Sequence, residues 1–147
     1  MKNINKLVIT LSLFATISLI SSCNEVKSPT AKGATLANTS WTLVKMKGNN
    51  QQRKGKRAIT LNFSDTRASG FSGCNQYFSN YTLSNGNDIK FTLIGSTKRG
   101  CFPRNITKRE HRYLNTLGAT RSFRNRGDHL ILKGGQGKLK FILGKKF

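Results

Sequence analysis

The sequence predicts an α+β fold of mostly antiparallel β structure, a small barrel-like sheet with one α-helix packed on it or capping it. Apolar and polar residues alternate with a period of two in many short stretches between residues 36 and 143. Turn-forming pairs such as Asn85-Gly86 separate these stretches. One stretch after Pro103 has helical spacing instead. Short strands at regular intervals with a single helix are typical of a small antiparallel barrel.

Five strands are predicted in the first part of this domain. Their residues are Trp41-Thr42-Leu43-Val44, then Ile59, Leu61 and Phe63, then Ala68 to Gly73, then Tyr81 and Leu83, then Ile89, Phe91 and Leu93. Ile89, Phe91 and Leu93 should form one face of the fifth strand, because alternate residues of a strand point to the same side. Between the third and fourth strands, the segment around Cys74 is expected to form one helical turn.

A helix and three further strands complete the predicted fold. The strands are marked by Phe123, then Leu130 and Leu132, then Leu139, Phe141 and Leu143. The apolar face of the helix consists of Ile106, Tyr113, Leu114 and Leu117. Gly118 is placed to end the helix. Glu110 falls on the apolar face, so it either has a buried partner or extends from the edge of the face to solvent.

Composition limits the chain to one small domain preceded by a targeting segment. The chain has 147 residues, of which 36% are hydrophobic. It carries 26 basic and five acidic side chains, for a formal net charge of +21. So large a positive charge indicates an anionic partner or surface.

The first 22 residues have the pattern of a lipoprotein signal peptide. Lys2 and Lys6 precede an apolar run over residues 7–20, which is shorter than the roughly 20 residues of a membrane span. The run ends in Ile20-Ser21-Ser22-Cys23, which resembles the lipobox of bacterial lipoproteins. This resemblance implies cleavage before Cys23 and lipidation of its thiol and amino group. Asn24 stands where aspartate would favour the inner membrane, so the outer membrane, facing the periplasm, is expected.

Residues 23–35 form the lipidated N-terminus and a polar tether, and residues 36–147 form the domain. Residues 24–35 read NEVKSPTAKGAT and lack any hydrophobic period, as expected of a flexible linker. Several acyl chains on Cys23 would hold the protein stably at a membrane.

A set of residues within the domain resembles the signature of the META-domain (HslJ-like) family. They are Trp41, Gly70, Gly73, Cys74, Asn75, Tyr77, Thr97, Cys101 and Glu110. The resemblance runs in order from about residue 36 to residue 143. It implies a non-enzymatic lipoprotein of the bacterial cell envelope, associated with heat shock and with tolerance of the antibiotic novobiocin. No cofactor is implied.

Few residues offer catalytic or metal chemistry. Once Cys23 is lipidated, Cys74 and Cys101 are left in an oxidising compartment, where they either form a disulfide or lie as two buried thiols. A Cys74 nucleophile with His111 or His129 as its base has no support in the spacing. Two histidines and five acidic residues show no metal-ligand spacing, so no metal site is predicted.

The basic residues are the remaining functional signal. They cluster at residues 53–57, 98–99, 108–112, 121–126 and 138–146. Lipopolysaccharide phosphates or anionic lipid headgroups are the expected partners, and the signal peptide argues against nucleic acid. Alternation puts Lys138 and Lys140 on one face, opposite Leu139 and Phe141, and it puts Arg121 on the same side as Phe123. The competing interpretation is that the charge only keeps the domain soluble.

The sequence leaves two classes of function open. The first is a non-enzymatic envelope lipoprotein, acting as an adaptor or a stress-protective module with an unidentified protein partner. The second is a small barrel that binds an apolar or anionic ligand inside it or at its mouth. A large interior cavity would favour the second class, and a filled interior would favour the first.

Overall fold

A computed structural model describes residues 36–47, 49–50 and 58–144 of the chain. The predicted signal peptide, Cys23, the tether and the basic stretch at 53–57 lie outside the described residues. The elements in chain order are β1 (Thr39–Met46), β2 (Asn49–Asn50), β3 (Thr60–Phe63), β4 (Arg67–Phe71), β5 (Gln76–Ser84), β6 (Asp88–Ser96), α1 (Asn105–Gly118), β7 (Thr120–Asn125), β8 (His129–Gly134) and β9 (Gly137–Leu143).

The strands form a closed antiparallel barrel, which confirms the predicted fold class. From β3 to β9 each strand pairs with the next in the chain, β1 pairs with β3, and β9 pairs back with β1. The short β2 only extends β1. Eight strands therefore make the wall, and α1 is inserted between β6 and β7. No helix in the described part of the chain is long and apolar enough to cross a membrane.

The up-and-down strand order gives the barrel two distinct ends. At the helix end lie the β4–β5 loop at 72–75, the connection through α1 at 97–119, and the β8–β9 turn. At the terminal end, β1 begins and β9 finishes. There the backbone N–H of Gly144 donates to the Ser40 carbonyl oxygen at 2.7 Å.

Alternate strand residues fill the barrel interior as one contiguous hydrophobic core. The side chains of α1 join this core from the helix end. Its buried members are Leu36, Trp41, Leu43, Met46, Ile59, Leu61, Phe63, Ala68, Tyr77, Tyr81, Ile89, Phe91, Tyr113, Leu117, Phe123, Leu130, Leu132, Leu139 and Phe141. Burial of this apolar surface is the main favourable contribution to folding.

The prediction that Leu93 shares the face of Ile89 and Phe91 is wrong. Ile89 and Phe91 are buried, but the Leu93 side chain is 76% exposed. The β5–β6 register shifts between Phe78 and Asn80, and Leu93 has a φ of 53°. A β-bulge inserts one extra residue and re-aims the side chains beyond it. The period of two therefore breaks at Leu93.

The segment around Cys74 is a hairpin loop and not the helical turn that was predicted. The backbone N–H of Ser72 donates to the Asn75 carbonyl oxygen at 2.8 Å, which closes the loop between β4 and β5. Gly73 has a φ of 98°, in the left-handed region that a helical turn excludes.

Alternation predicts correctly that the lysines of β9 face outward, but it fails for β7. Lys138 and Lys140 are exposed, and Leu139 and Phe141 are buried, as predicted. Arg121 is exposed and Phe123 is buried, so these two do not share a side. The β7–β8 register shifts between Thr120 and Ser122, and this irregularity reverses the expected alternation.

Candidate functional site

Eight of the nine signature residues meet at the helix end of the barrel. They are Gly70, Gly73, Cys74, Asn75, Tyr77, Thr97, Cys101 and Glu110. They lie on β4, the β4–β5 loop, β5, the segment after β6, and α1. The exception is Trp41, which is buried in β1 opposite Leu61 and Leu143, where its Nε1 donates to Thr39 Oγ1 at 2.8 Å.

Glu110 joins α1 to the β4–β5 loop. Its side chain is only 4% exposed. Oε2 accepts from Asn75 Nδ2 at 2.9 Å, and Oε1 accepts from the Asn75 backbone N–H at 3.2 Å. The Ser72 hydroxyl hydrogen bonds to Oε1 as well. Glu110 is therefore a buried carboxyl with several partners, and not a side chain that extends to solvent.

Asn75 uses the other edge of its amide to hold the segment that follows β6. Its Oδ1 accepts from Thr97 Oγ1 and from the Arg99 backbone N–H, both at 2.8 Å. Arg99 Nη2 in turn donates to the Cys74 carbonyl oxygen at 3.1 Å. One asparagine thus links α1, the β4–β5 loop and the chain after β6.

A disulfide between Cys74 and Cys101 joins the same two loops covalently. Their Cα atoms are 6.0 Å apart, and the bond spans 27 positions of sequence. This resolves the choice between a disulfide and two thiols in favour of the bond. Six residues connect α1, the β4–β5 loop and the segment after β6, and we call them the clamp: Ser72, Cys74, Asn75, Thr97, Cys101 and Glu110.

Beneath the clamp, two tyrosines connect α1 to the barrel wall. The Tyr77 hydroxyl donates to the Thr60 carbonyl oxygen at 2.8 Å. A hydroxyl has one proton, so Tyr113 is the donor in its 2.6 Å bond with Tyr77. The rings meet edge to face with centroids 5.5 Å apart. Burial raises the pKa of both Tyr77 and Tyr113 above the ordinary value of 10.

Two signature glycines are explained by close approach. A β-carbon on Gly70 would overlap the carbonyl oxygen of Thr60, the same oxygen that accepts the Tyr77 hydroxyl. A β-carbon on Gly73 would overlap Arg109 Nη2, since the guanidinium of this buried arginine lies against the loop. These glycines let the loop and the strands pack closely at the helix end.

Replacing Gly73 with alanine should lower the free energy of unfolding by about 2–3 kcal/mol, because left-handed backbone strain and overlap with Arg109 add together. Gly86→Ala is the matched control for strain alone, since Gly86 has a φ of 76° and open space around it. It should cost about 1 kcal/mol. Gly100→Ala, with neither strain nor overlap, should be neutral. Urea unfolding measures all three, and equal losses for Gly73→Ala and Gly86→Ala would contradict the overlap.

The site contains no free cysteine paired with a histidine. The Cys74 sulfur is bonded to Cys101. His129 lies at the terminal end with Nδ1 2.6 Å from Asp128 Oδ1, and His111 is on the exposed face of α1. Within the described ranges, no three His, Cys, Asp or Glu side chains are grouped so that they could hold a metal ion.

Sequence reasoning missed three participants: Ser72, Arg99 and Arg109. Ser72 stands three residues before Asn75, a spacing at which serine often closes a turn by bonding to the backbone, and its hydroxyl donates to the Asn75 carbonyl oxygen at 2.7 Å. This signal was available in the sequence. No sequence signal distinguishes Arg99 and Arg109, because the sequence around them resembles that around the surface arginines of this basic chain.

The fold and the clamp define a small up-and-down β-barrel with a helix fastened across one end. The family model of the META domain matches residues 34–146. The chain belongs to the META domain family. A search of the curated proteins found no match.

Solved structures share this fold. An NMR structure of a protein from Burkholderia xenovorans is 30% identical, with a TM-score of 0.59, and the match covers 75% of this chain and 84% of that one. A second NMR structure is 18% identical, with a TM-score of 0.59 and coverage of 74% and 91%. The crystal structure of a DUF4847 family protein from Bacteroides vulgatus is 13% identical, with a TM-score of 0.50 and coverage of 76% and 96%.

Proposed function

We propose that the protein is a non-enzymatic lipoprotein of the cell envelope. In this proposal a lipid on Cys23 anchors the chain in the outer membrane, and residues 24–35 tether a rigid barrel that faces the periplasm. The observation that carries the proposal is the clamp, because the polar groups of its residues form hydrogen bonds with one another. Family resemblance adds a stress-protective role, associated with heat shock and tolerance of novobiocin.

The chemistry of the clamp supports a structural role for these residues. Both oxygens of Glu110 accept hydrogen bonds, and both edges of the Asn75 amide are occupied. The Cys74 sulfur is in a disulfide and is not available as a nucleophile. Residues with no unused reactive group fix the position of the helix and do not turn over a substrate.

The disulfide also supports an envelope location. Disulfides persist in oxidising compartments such as the bacterial periplasm and are rare in the cytosol. A bond between Cys74 and Cys101 therefore agrees with export by the lipobox signal peptide that ends at Cys23.

A ligand-binding barrel is the second class of function, and the interior gives it less support. Large side chains occupy the inside of the wall, among them Trp41 and Phe141, and Tyr113 and Leu117 of α1 join them at the helix end. The groove between α1 and β6 is open to solvent. Side chains rather than a ligand fill this barrel, as in other small barrels.

The basic surface indicates what kind of partner the protein has in the envelope. We infer attraction to anionic envelope components, either lipopolysaccharide or anionic lipid, and not to nucleic acid. The described residues carry 16 lysines and arginines against four acidic side chains. An exported domain with this balance is attracted to surfaces of negative potential.

The anchor is tested by replacing Cys23 with alanine in a bacterial host. The variant should accumulate as unprocessed precursor and take up no radiolabelled palmitate, because the thiol that is lipidated is gone. Ser21→Ala is the matched control, since it keeps a small residue in the lipobox and should be processed and labelled normally. Palmitate labelling of Cys23→Ala at the level of the natural chain would contradict the proposal.

A further inference from the structure

The barrel has one strongly basic side, formed by β8, β9 and β1. Its lysines lie in three consecutive strands of the closed sheet or directly after them. We call this surface the basic wall: Lys45, Lys47, Lys133, Lys138 and Lys140, with the apolar Val44, Ile131 and Ile142 between them. Lys47 follows β1 and runs alongside the Gly137 turn, which brings it beside the β8–β9 hairpin.

Lysines face lysines across the strands of this wall. Lys45 is directly opposite Lys140, and Lys133 is directly opposite Lys138. Like charges in directly opposite positions destabilise a sheet, whereas an acidic partner would stabilise it. The strands β1, β8 and β9 contain no aspartate or glutamate. The arrangement costs stability in the free protein, and an external anion at this surface would relieve the repulsion.

On the opposite side of the barrel, strand β5 itself carries no charged side chain. In the ring of eight strands, β5 is the fourth neighbour of β9 in both directions. The exposed positions along β5 are Gln76, Phe78, Asn80, Thr82, Leu83 and Ser84. The neighbouring strands add Arg67, which lies over the Phe78 ring, and the oppositely charged Asp88 and Lys90. Five of the eight lysines in the described part of the chain lie on the basic wall, and this clustering distinguishes a binding surface from a uniform solubility charge.

Apolar side chains lie among the lysines of the basic wall. In register, Ile131 is opposite Lys140, and Ile142 is opposite His129. Ile142 is 40% exposed, and its neighbour Leu143 at the terminal end is 50% exposed. Lysine stems with isoleucines between them form an amphipathic surface, which suits the headgroup region of a bilayer better than a fully hydrated polyanion.

We propose that the basic wall lies flat against the headgroups of anionic phospholipids, an inference that rests on the lipid anchor proposed above. The described chain begins at Leu36, just before β1 at the terminal end, which is where residues 24–35 connect to the barrel. Twelve residues, 24–35, reach at most about 40 Å. The seven residues of β9 span about 23 Å. The tether is therefore long enough to let the barrel lie on its side, with Ile142 near the anchor and the lysine pairs farther along.

The test uses a chain of residues 24–147, which lacks the lipid and the signal peptide. Every described element and the β1–β9 pairing that closes the barrel lie between residues 36 and 144, so this chain holds the whole fold. Binding is measured to vesicles of phosphatidylglycerol and phosphatidylcholine, and to phosphatidylcholine alone. The wall variant carries Lys45→Gln, Lys138→Gln and Lys140→Gln. The matched control carries Lys90→Gln, Lys98→Gln and Lys108→Gln, three exposed lysines off the wall.

The natural chain should bind the anionic vesicles and not the neutral ones. Each lysine near an anionic surface contributes about fivefold to binding, so the wall variant should bind on the order of 100-fold more weakly. The control variant should lose less than about fivefold, although its net charge is the same. Binding of the natural chain should also fall as salt rises from 0.1 M to 1 M, because the screening length shortens from about 10 Å to about 3 Å.

Three outcomes would overturn the proposal. Equal losses in the two variants would mean that the charge acts diffusely. No loss in the wall variant would mean that these lysines are not in contact with lipid. If soluble polyphosphate binds the natural chain as tightly as vesicles do, the partner is a soluble polyanion and not a bilayer. None of these outcomes bears on the anchor, which is tested separately by palmitate labelling of Cys23→Ala.

Discussion

Replacing Glu110 with alanine is expected to lower the free energy of unfolding by about 3–5 kcal/mol. The substitution leaves the Asn75 backbone N–H without its acceptor in a buried site and removes the 2.9 Å acceptor of Asn75 Nδ2. It also removes one of the two partners of the Ser72 hydroxyl, which keeps the Asn75 carbonyl oxygen. Each buried donor left unsatisfied costs about 1–3 kcal/mol. Urea unfolding should show a lower midpoint with an unchanged slope, since the surface exposed on unfolding stays the same.

Two further variants in α1 are controls for this loss of stability. Glu110→Gln keeps one acceptor oxygen, so it should cost less than Glu110→Ala. Lys108→Ala, at an exposed position in the same helix, should change the free energy of unfolding by no more than about 0.5 kcal/mol. A loss below about 1 kcal/mol for Glu110→Ala would mean that the carboxyl does not hold the helix.

Removing the disulfide should lower the free energy of unfolding by about 3–4 kcal/mol. The bond closes a loop of 27 positions, and the chain-entropy model gives this magnitude for a loop of that length. The measurement is urea unfolding of the oxidised natural chain and of the Cys74→Ala/Cys101→Ala variant. The variant also loses the 3.3 Å contact between Asn75 Nδ2 and Cys74 Sγ.

A reductant gives the control for this second prediction. It should destabilise the natural chain by a similar amount and leave the Cys74→Ala/Cys101→Ala variant unchanged. Two reactive thiols in the oxidised chain of residues 24–147 would contradict the bond. Equal stability of the oxidised and reduced natural chains would contradict its energetic role.

The regular part of the fold could be predicted from the sequence because it depends on short-range pattern. Alternation located β1, β3 and β9, and Asn85-Gly86 marked the β5–β6 turn, where both residues have positive φ. Alternation failed at Leu93 and Arg121. In both places the pairing register shifts, and the position of a bulge depends on the partner strand, which the local sequence does not reveal.

Every member of the clamp except Ser72 could be predicted, but the connections between the members could not. Resemblance to the family identifies Asn75, Cys101 and Glu110. The partner of Glu110 is 35 positions away in the chain, and spacing along a helix carries no information about a contact of that range. Composition predicted a basic protein, whereas the concentration of lysines on β8, β9 and β1 depends on how the barrel closes.

The claim that the signature residues fasten α1 across the end of the barrel is tested most directly by a double-mutant cycle of Asn75→Ala and Glu110→Ala. Residues that share a hydrogen-bond network have coupling energies of about 0.5–3 kcal/mol, and we expect at least about 1.5 kcal/mol here. Asn75→Ala combined with Tyr81→Phe, whose hydroxyl bonds to Ser64 at the other end of the barrel, should be additive within about 0.5 kcal/mol. Additive losses for Asn75→Ala and Glu110→Ala would contradict the clamp.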